Sequence, residues 1–194
     1  MNKLLKPIII SGPSGVGKTT FIQPLLKKFP NKFSFTCSHT TRQPRPGETH
    51  GIDYYFTTHS EMKTQISMGE FIEHAEFAGN LYGTSHHAVK SLLENEKIPI
   101  LDLDEQGVKN MKKQGGDFDG LFIFIGPPSV KALEKRLIGR GTENEESLKR
   151  RMAAAKSSIE YAMEAGVYDV SIVNDDFDSA YVKFESFLKE QFDL

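Results

Sequence analysis

A glycine-rich segment near the start of the chain has the residue spacing of a phosphate-binding loop. Gly-x-x-x-x-Gly-Lys-Thr runs from Gly12 to Thr19, directly after an apolar run that predicts a buried strand. Glycines at this spacing let backbone N–H groups turn inward around an anion, and the following helix adds its own unpaired N–H groups. Lys18 would then reach the β- and γ-phosphates of a nucleotide, and the Thr19 hydroxyl would ligand Mg²⁺. The alternative interpretation is a glycine-rich turn with a surface lysine.

The arginines are a second group of residues whose placement indicates chemistry. The chain has eighteen scattered lysines but only six arginines, which fall in two places. A planar guanidinium offers a fork of donors that matches phosphate oxygens, whereas a lysine is a point charge. Two arginine groups and a phosphate loop together predict two phosphate-bearing ligands. The arginines are Arg42 and Arg45 in a Pro/Gly loop, and Arg136, Arg140, Arg150 and Arg151 farther along the chain.

Ordinary salt bridges are the alternative role for these arginines. Four glutamates lie within residues 134–146, so ion pairs along the helices compete with ligand binding in the second group. Arg42 and Arg45 have no acidic residue between them. We therefore expect these two guanidinium groups to be available for a ligand.

The elements that must position these residues alternate between strands and helices. This alternation predicts an α/β fold with a parallel sheet flanked by helices, and ligands bind such sheets outside the carboxyl ends of the strands. In the first helix, Pro24 is expected to cause a kink or a local departure from α-helical geometry. The apolar runs that predict core strands are Pro7–Ile10, Ile98–Asp104, Gly120–Gly126 and Val170–Val173.

The segment Phe33–Thr84 contains more strands than this alternation allows. Extended patterns predict strands over Phe33–Ser38, Ile52–Thr57 and Phe71–Phe77. A short helix is expected between the last two, with Ser60 as its N-cap. The segment is therefore predicted to be a small inserted subdomain within a chain whose 194 residues suggest one domain.

The composition limits the classes of partner and the compartment. A net charge of −2 argues against a nucleic acid or a membrane surface as the main partner. The single cysteine, Cys37, rules out an internal disulfide and fits a reducing compartment. The first strand is reached after six residues, with no apolar run of the length of a signal or transmembrane segment. The expected location is the cytoplasm.

A series of motifs resembles the guanylate kinase family. The motifs occur in order from about Pro7 to Leu188, so the resemblance covers nearly the whole chain and is far more specific than the phosphate loop alone. The matching stretches are Ser11–Thr19, Ser38–Glu48, Gly51–Tyr54, Glu70–Glu73, Tyr82–Thr84, Leu101–Gly107, Pro127–Ser129, Arg136–Thr142 and Val173–Asp176.

The resemblance implies transfer of the γ-phosphoryl group of ATP to GMP, giving ADP and GDP, with Mg²⁺. It also implies a P-loop NTPase-like parallel sheet flanked by helices, an inserted GMP-binding subdomain and a helical lid. Within a single domain of residues 1–194, the core would take about residues 1–32, 85–130 and 165–194. The GMP-binding subdomain would take about 33–84, and the lid about 131–164. The partners would be ATP and GMP, with no nucleic acid, membrane or obligatory protein partner.

Transferred to this sequence, the resemblance implies a set of site residues for each ligand. The ATP-binding residues would be Gly12, Pro13, Ser14, Gly15, Val16, Gly17, Lys18, Thr19, Thr20 and Asn174. The GMP phosphate would be held by Arg42, Arg45, Tyr54 and Tyr82, and the guanine by Ser38, Glu73, Thr84 and Asp104. The catalytic residues would be Lys18, Arg42, Arg136, Arg140 and Arg151, and the last three would act on the transferring phosphoryl group. The Mg²⁺ ligands would be Thr19 and Asp102.

Several of these residues have simpler alternative roles. Asp102 and Asp104 at the end of a strand are also typical of helix-capping carboxylates, and Tyr54 and Tyr82 of half-buried aromatics in strands. Glu73 alternates with Ile72, so it is also compatible with the solvent side of its strand.

Two other functions remain open at this stage. One is a guanylate-kinase-like interaction module that binds protein partners without catalysis, and the other is a kinase for a different nucleoside monophosphate. Such modules typically degrade the phosphate loop, which is intact here.

Overall fold

The chain folds into nine strands and seven helices over the part that the structure describes. The structure is a computed structural model and describes residues 6–77, 79–114, 120–139, 145–192 and 194. The strands are β1 (Ile8–Ser11), β2 (Phe33–Phe35), β3 (Ser38–Thr40), β4 (Tyr54–Phe56), β5 (Phe71–Phe77), β6 (Asn80–Ser85), β7 (Ile98–Leu103), β8 (Leu121–Gly126) and β9 (Val170–Val173). The helices are α1 (Lys18–Lys28), α2 (His59–Ser67), α3 (His86–Glu94), α4 (Glu105–Gln114), α5 (Val130–Gly139), α6 (Glu145–Ala162) and α7 (Phe177–Gln191).

The central sheet has five parallel strands in the order β2-β7-β1-β8-β9. Its middle strand β1 is fully buried because helices cover both faces of a parallel sheet. Ile8 and Ile10 pack into a core cluster with residues of α1 and α7, whereas Ile9 points to the opposite face and packs with residues of α3 and α4. The predicted α/β fold with a parallel sheet is confirmed.

A second sheet has four strands in the order β4-β3-β6-β5. β3 and β4 are parallel, whereas β6 runs antiparallel to both β3 and β5. The single strand predicted over Phe33–Ser38 is wrong, because β2 belongs to the central sheet and β3 to the second sheet. Between them, the N–H of Thr36 still donates to the carbonyl of Ile100 at 2.9 Å before the chain crosses over.

The start of α2 differs from the sequence prediction. Thr58, not Ser60, is the N-cap: its hydroxyl accepts from the N–H of Glu61 at 3.2 Å. The Glu61 carboxylate in turn accepts from the N–H of Thr58 at 3.0 Å, which completes a capping box. The Thr-x-x-Glu spacing is present in the sequence and identifies this helix start.

Helix α1 continues through Pro24 and is α-helical along its whole length. Of the two effects expected of Pro24, the local departure from α-helical geometry is therefore wrong, whereas the kink stays a prediction. Proline cannot donate to the carbonyl of Thr20 four residues back. Both residues line an open cavity, where water can satisfy that carbonyl.

Two predicted features lie outside the described residues. They are the capping box at Thr142 and the site residue Arg140. Within the described ranges, no helix combines the length and the apolar character that a membrane crossing requires.

Candidate active site

The phosphate loop joins the end of β1 to the start of α1. Gly12, Gly15 and Gly17 have φ values of 144°, 91° and 99°, in a region that side chains disfavour. A Cβ at Gly12 would lie 2.1 Å from the carbonyl oxygen of Ile125 in β8, so only glycine fits there. Gly17 is the N-cap of α1, and among the described residues no side chain caps this helix end. The N–H groups at the start of α1 are therefore suited to binding an anion.

Lys18 folds back over the loop. Its Nζ donates to the carbonyl of Gly12 at 2.8 Å and lies 3.5 Å from Oδ1 of Asp102, which is near the end of β7. Desolvation raises the pKa of the Asp102 carboxyl, and the positive charge of Lys18 opposes that rise. The Asp102 side chain is nevertheless 29% exposed. The lysine thus ties the phosphate loop to the neighbouring strand β7.

The oxygen donors at this edge of the sheet fit a magnesium ion shared with a nucleotide. Thr19 is exposed at the start of α1, and Asp102 presents its carboxylate near Lys18. The described residues contain no group of three or more His, Cys, Asp and Glu that could hold a metal by themselves. Mg²⁺ is typically bound through one or two carboxylates, waters and substrate phosphates, so a protein cage is not needed.

A cavity of about 780 Å³ opens beside the loop. Asn174 donates from Nδ2 to the carbonyl of Val16 at 2.7 Å, and Arg136 donates from Nη2 to the carbonyl of Asn174 at 2.9 Å. Arg151 in α6 donates from Nη1 to Oγ of Ser14 at 2.5 Å. The lining residues are Gly15, Val16, Gly17, Thr20, Gln23, Pro24, Lys27, Arg136, Asn174, Asp175 and Phe177.

The structure therefore brings Arg136 and Arg151 of the second arginine group to the phosphate loop. Arg150 instead lies 3.6 Å from Glu146 in an exposed pair, as the salt-bridge alternative predicts.

Pro13 is buried in the loop and its carbonyl accepts from the N–H of Val16 at 3.2 Å.

A buried carboxylate lies in the second sheet. Glu73 in β5 is 5% exposed and pairs across the strands with Thr84 in β6. Thr84 Oγ1 in turn lies 3.2 Å from Ser38 Oγ in β3. The pKa of Glu73 is raised to about 7. Burial is the main cause and the charge of Asp104 adds to it, whereas hydrogen bonds from Thr84 oppose the rise. The solvent-side alternative for Glu73 is thus wrong, and the four residues predicted to bind guanine lie together.

The end of β7 connects this pocket to the phosphate loop. Asp104 follows the strand and its Oδ1 accepts from the N–H of Gly107 at 2.8 Å, so the helix-capping role is present. A Cβ at Gly107 would lie 3.2 Å from Oε2 of Glu73, which places the start of α4 against the buried carboxylate. Asp102, two residues before Asp104, contacts Lys18. The two carboxylates therefore face two different sites from one strand end.

Arg42 lies with aromatic residues and with an acidic partner that we did not expect. Its guanidinium carbon is 5.3 Å from the Tyr54 ring centroid, and the rings of Tyr54 and Tyr82 are 6.1 Å apart. Glu48 binds both terminal nitrogens of Arg42 at 2.9 Å and raises its pKa, so the expectation of a guanidinium without an acidic partner is wrong. The turn after Arg45 brings Glu48 back to the loop, whereas the sequence argument considered only the residues between the arginines.

Phe56 is a further residue that the sequence argument missed, with its ring 5.9 Å from the Arg42 guanidinium carbon. The side chain of Arg45 is exposed next to this group. Burial raises the pKa of the Tyr54 hydroxyl, which keeps it protonated as a hydrogen-bond donor. A guanidinium beside two tyrosine hydroxyls is suited to an oxyanion.

The comparison with known families agrees with this geometry. A family model described as "Guanylate kinase" matches residues 4–191. The chain belongs to the guanylate kinase family. The predicted family and enzyme class are confirmed, while the roles of individual residues stay predictions.

Relatives of known function match nearly the full length. Guanylate kinase of Sus scrofa is 50% identical over 96% of this chain and 93% of its own. Guanylate kinase of Homo sapiens is 48% identical over the same shares. Guanylate kinase of Escherichia coli is 43% identical over 94% of this chain and 86% of its own.

Solved structures support the fold. The crystal structure of guanylate kinase from Anaplasma phagocytophilum aligns with a TM-score of 0.70 at 28% identity, over 99% of this chain and 89% of that one. The SH3-kinase fragment of tight junction protein 3 aligns with a TM-score of 0.52 at 16% identity, covering 96% of this chain and 57% of the fragment. At that identity, the second match concerns the fold alone.

Proposed function

We propose that this chain transfers the γ-phosphoryl group of ATP to GMP, giving ADP and GDP. The observation that carries the proposal is the end of β7. There Oδ1 of Asp102 lies 3.5 Å from Nζ of Lys18 in the phosphate loop, and Asp104 accepts from the N–H of Gly107, which lies against the buried Glu73. Residues two apart in a strand lie roughly 7 Å from each other. The proposed nucleotide phosphate site would therefore lie beside the proposed base-binding pocket.

Guanine fits the buried pocket because of its hydrogen-bonding edge. Guanine presents two adjacent donors, N1–H and the exocyclic amine, and one ionised carboxylate of Glu73 accepts from both. Adenine has a lone pair at N1 and no amine at that edge, so the carboxylate would stay unpaired. The hydroxyls of Ser38 and Thr84, 3.2 Å apart, add further polar contacts on the same side.

Phosphoryl transfer needs charge neutralisation and alignment more than covalent chemistry. An oxygen of the GMP phosphate forms a bond to the γ-phosphorus while the bond to the oxygen that stays on ADP breaks. Lys18 and the N–H groups of the loop bind the ATP phosphates, and Arg42, Arg45, Tyr54 and Tyr82 orient the GMP phosphate. Mg²⁺, when held by Thr19 and Asp102, would neutralise phosphate charge.

The lid arginines complete this arrangement. Arg136 contacts Asn174 and Arg151 contacts Ser14, next to and within the phosphate loop. We assign these two arginines and Arg140 to the phosphoryl group that is transferred. Closure of the lid over bound nucleotides would exclude water from the reactive phosphoryl group. The proposed division is a core, a GMP-binding subdomain at about 33–84 and a lid at about 131–164.

ATP, GMP and Mg²⁺ are the only partners that this proposal requires. A cytoplasmic location is part of the proposal, supported by the free thiol of Cys37.

A coupled assay of ADP formation tests the proposal. ATP is supplied with GMP, dGMP, AMP or UMP, and we expect turnover with GMP and very little with AMP or UMP. Binding of GMP without turnover would favour the interaction module, whose fold the tight junction fragment shares. Preferred turnover of AMP or UMP would instead identify a kinase for another monophosphate.

A further inference from the structure

A single carboxylate holds both arginine positions of the Pro/Gly loop. Oε1 of Glu48 accepts from Nη2 of Arg42 at 2.9 Å, and Oε2 accepts from Nη1 of Arg42 at 2.9 Å. Oε2 also accepts from the backbone N–H of Arg45 at 2.7 Å. Glu48 therefore joins the two residues that the proposed function places on the GMP phosphate.

The loop backbone holds this carboxylate in place. The N–H of Glu48 donates to the carbonyl of Arg45 at 3.0 Å, which closes a turn. Pro46 and Gly47 are the central residues of this turn, in which Gly47 adopts a φ of 89°, and Pro44 restricts the backbone before it. Little of the loop's conformational freedom remains to be lost when a ligand binds.

The hydrogen bonds of Arg42 leave a defined edge of its guanidinium for a ligand. Nη1 donates to Glu48 and also to the carbonyl of Gln43 at 2.8 Å, which uses both of its hydrogens. One hydrogen of Nη2 is used by Glu48. The Nε–H and the second Nη2–H remain for the Tyr82 hydroxyl and for a phosphate oxygen.

Glu48 has two possible roles with opposite consequences. As a stand-in for the phosphate, it would compete with GMP and leave when GMP binds. As a fixed support, it would stay and orient the guanidinium. The bond to the Arg45 N–H and the closed turn favour the second role, because departure would break three hydrogen bonds and leave a backbone donor without its partner.

We propose that Glu48 is a positioning residue that orients the Arg42 guanidinium toward the GMP phosphate, fixes the backbone at Arg45 and remains bound to both throughout the reaction. This inference rests on the proposed function, since it takes GMP as the ligand of Arg42. Glu48 preorganises the site, because Arg42 loses less conformational freedom when GMP binds. In return, the negative charge of Glu48 offsets part of the attraction between Arg42 and the phosphate.

Binding measurements with GMP and with guanosine test this role. Glu48→Gln and Glu48→Ala should weaken GMP binding by roughly 10- to 100-fold, the scale of a hydrogen bond to a charged group. Guanosine lacks the phosphate, so its affinity should change by less than about twofold, and KM for ATP should stay within the same limit. Glu94→Gln is the matched control, because Glu94 forms an exposed ion pair with Lys90 at 3.7 Å on α3.

The double variant shows whether Glu48 acts through Arg42. In an Arg42→Ala background, Glu48→Gln should weaken GMP binding much less than it does alone, because coupled residues give non-additive effects. Full additivity would overturn the proposal.

Other results would also overturn it. Tighter GMP binding by Glu48→Gln would identify a competing counter-ion, and equal losses for GMP and guanosine would identify a purely structural role. If Arg42→Ala leaves GMP binding unchanged, the assigned phosphate site itself is wrong. Absence of GMP turnover in the unmodified protein would instead overturn the proposed function. The comparison of GMP and guanosine binding does not depend on turnover, so the two failures can be distinguished.

Discussion

The phosphate loop presents mainly backbone groups from one short stretch, Gly12–Thr19, whereas the proposed guanine pocket presents side chains from distant parts of the chain. In the loop, positive φ values and a helix start aim N–H groups at an anion. On the other side, Glu73, Thr84 and Ser38 come from three strands of the second sheet. Binding phosphate needs only correctly placed donors, and a local turn supplies them. Selecting a base needs groups that approach from several directions.

The electrostatics of the two sites also differ. At the loop, Lys18 lies 3.5 Å from Asp102 and opposes the rise in the pKa of that carboxylate. Burial raises the pKa of Glu73 to about 7, and its charged neighbour is another carboxylate, Asp104, which acts in the same direction. At the proposed ATP site, the charges of Lys18 and Asp102 thus partly neutralise each other before any substrate binds. In the proposed guanine pocket, the desolvated Glu73 accepts from Thr84, and the donors of guanine would stabilise its ionised form further.

Arg140→Ala is expected to have the largest effect and to concern catalysis alone. Charge spreads onto the equatorial oxygens during transfer, and an arginine there contributes roughly 10³–10⁵ in kcat. KM for GMP should change little, which steady-state kinetics can measure. Near-normal kcat with a large increase in KM for GMP would instead show that Arg140 binds GMP in the ground state.

Lys18→Ala should lower kcat by roughly 10²–10³, the scale of one charged donor lost from a preorganised site. Guanosine affinity should be unchanged, because the lysine belongs to the loop. Lys149→Ala, which removes an exposed lysine on α6, is the control. A matching loss of guanosine affinity would show that the two sites are not separable.

Glu73→Ala should lower kcat/KM for GMP by at least about 10², while AMP turnover stays low and changes much less. KM for ATP should be nearly unaffected. Glu76→Ala is the matched control, because Glu76 lies on the same strand and is exposed. If the variant kept the full preference for GMP over AMP, selection would lie with Ser38 and Thr84.

Guanosine affinity should fall about tenfold between pH 8 and pH 6. Guanine donates to the ionised form of Glu73, and with a pKa of about 7 only about a tenth of the carboxylate is ionised at pH 6. Guanosine is used because the phosphate of GMP titrates in the same range. Calorimetry across this range measures the slope, which Glu73→Gln should abolish. A flat profile in the unmodified protein would contradict the assignment of Glu73 as the acceptor.

Much of the fold and the whole ATP-side loop could be predicted from the sequence. The apolar runs at Ile98–Asp104 and Gly120–Gly126 predicted β7 and β8 because strands of a parallel sheet are buried on both faces. The motifs also named the residues that now lie together around Glu73. One motif also contained Glu48 but gave it no role, because its contact with Arg42 depends on how the intervening turn folds back.

The sequence by itself determined the phosphate loop, since the conformation of Gly12, Gly15 and Gly17 and the start of α1 follow from local backbone preferences. Only the tertiary structure decided that β2 and β3 belong to different sheets, since an alternating pattern does not specify its partner strand. It likewise decided that Glu73 is buried. Alternation along β5 allows Glu73 to lie on the buried or on the solvent side of the strand. It is buried because β6 and α4 pack against this part of β5.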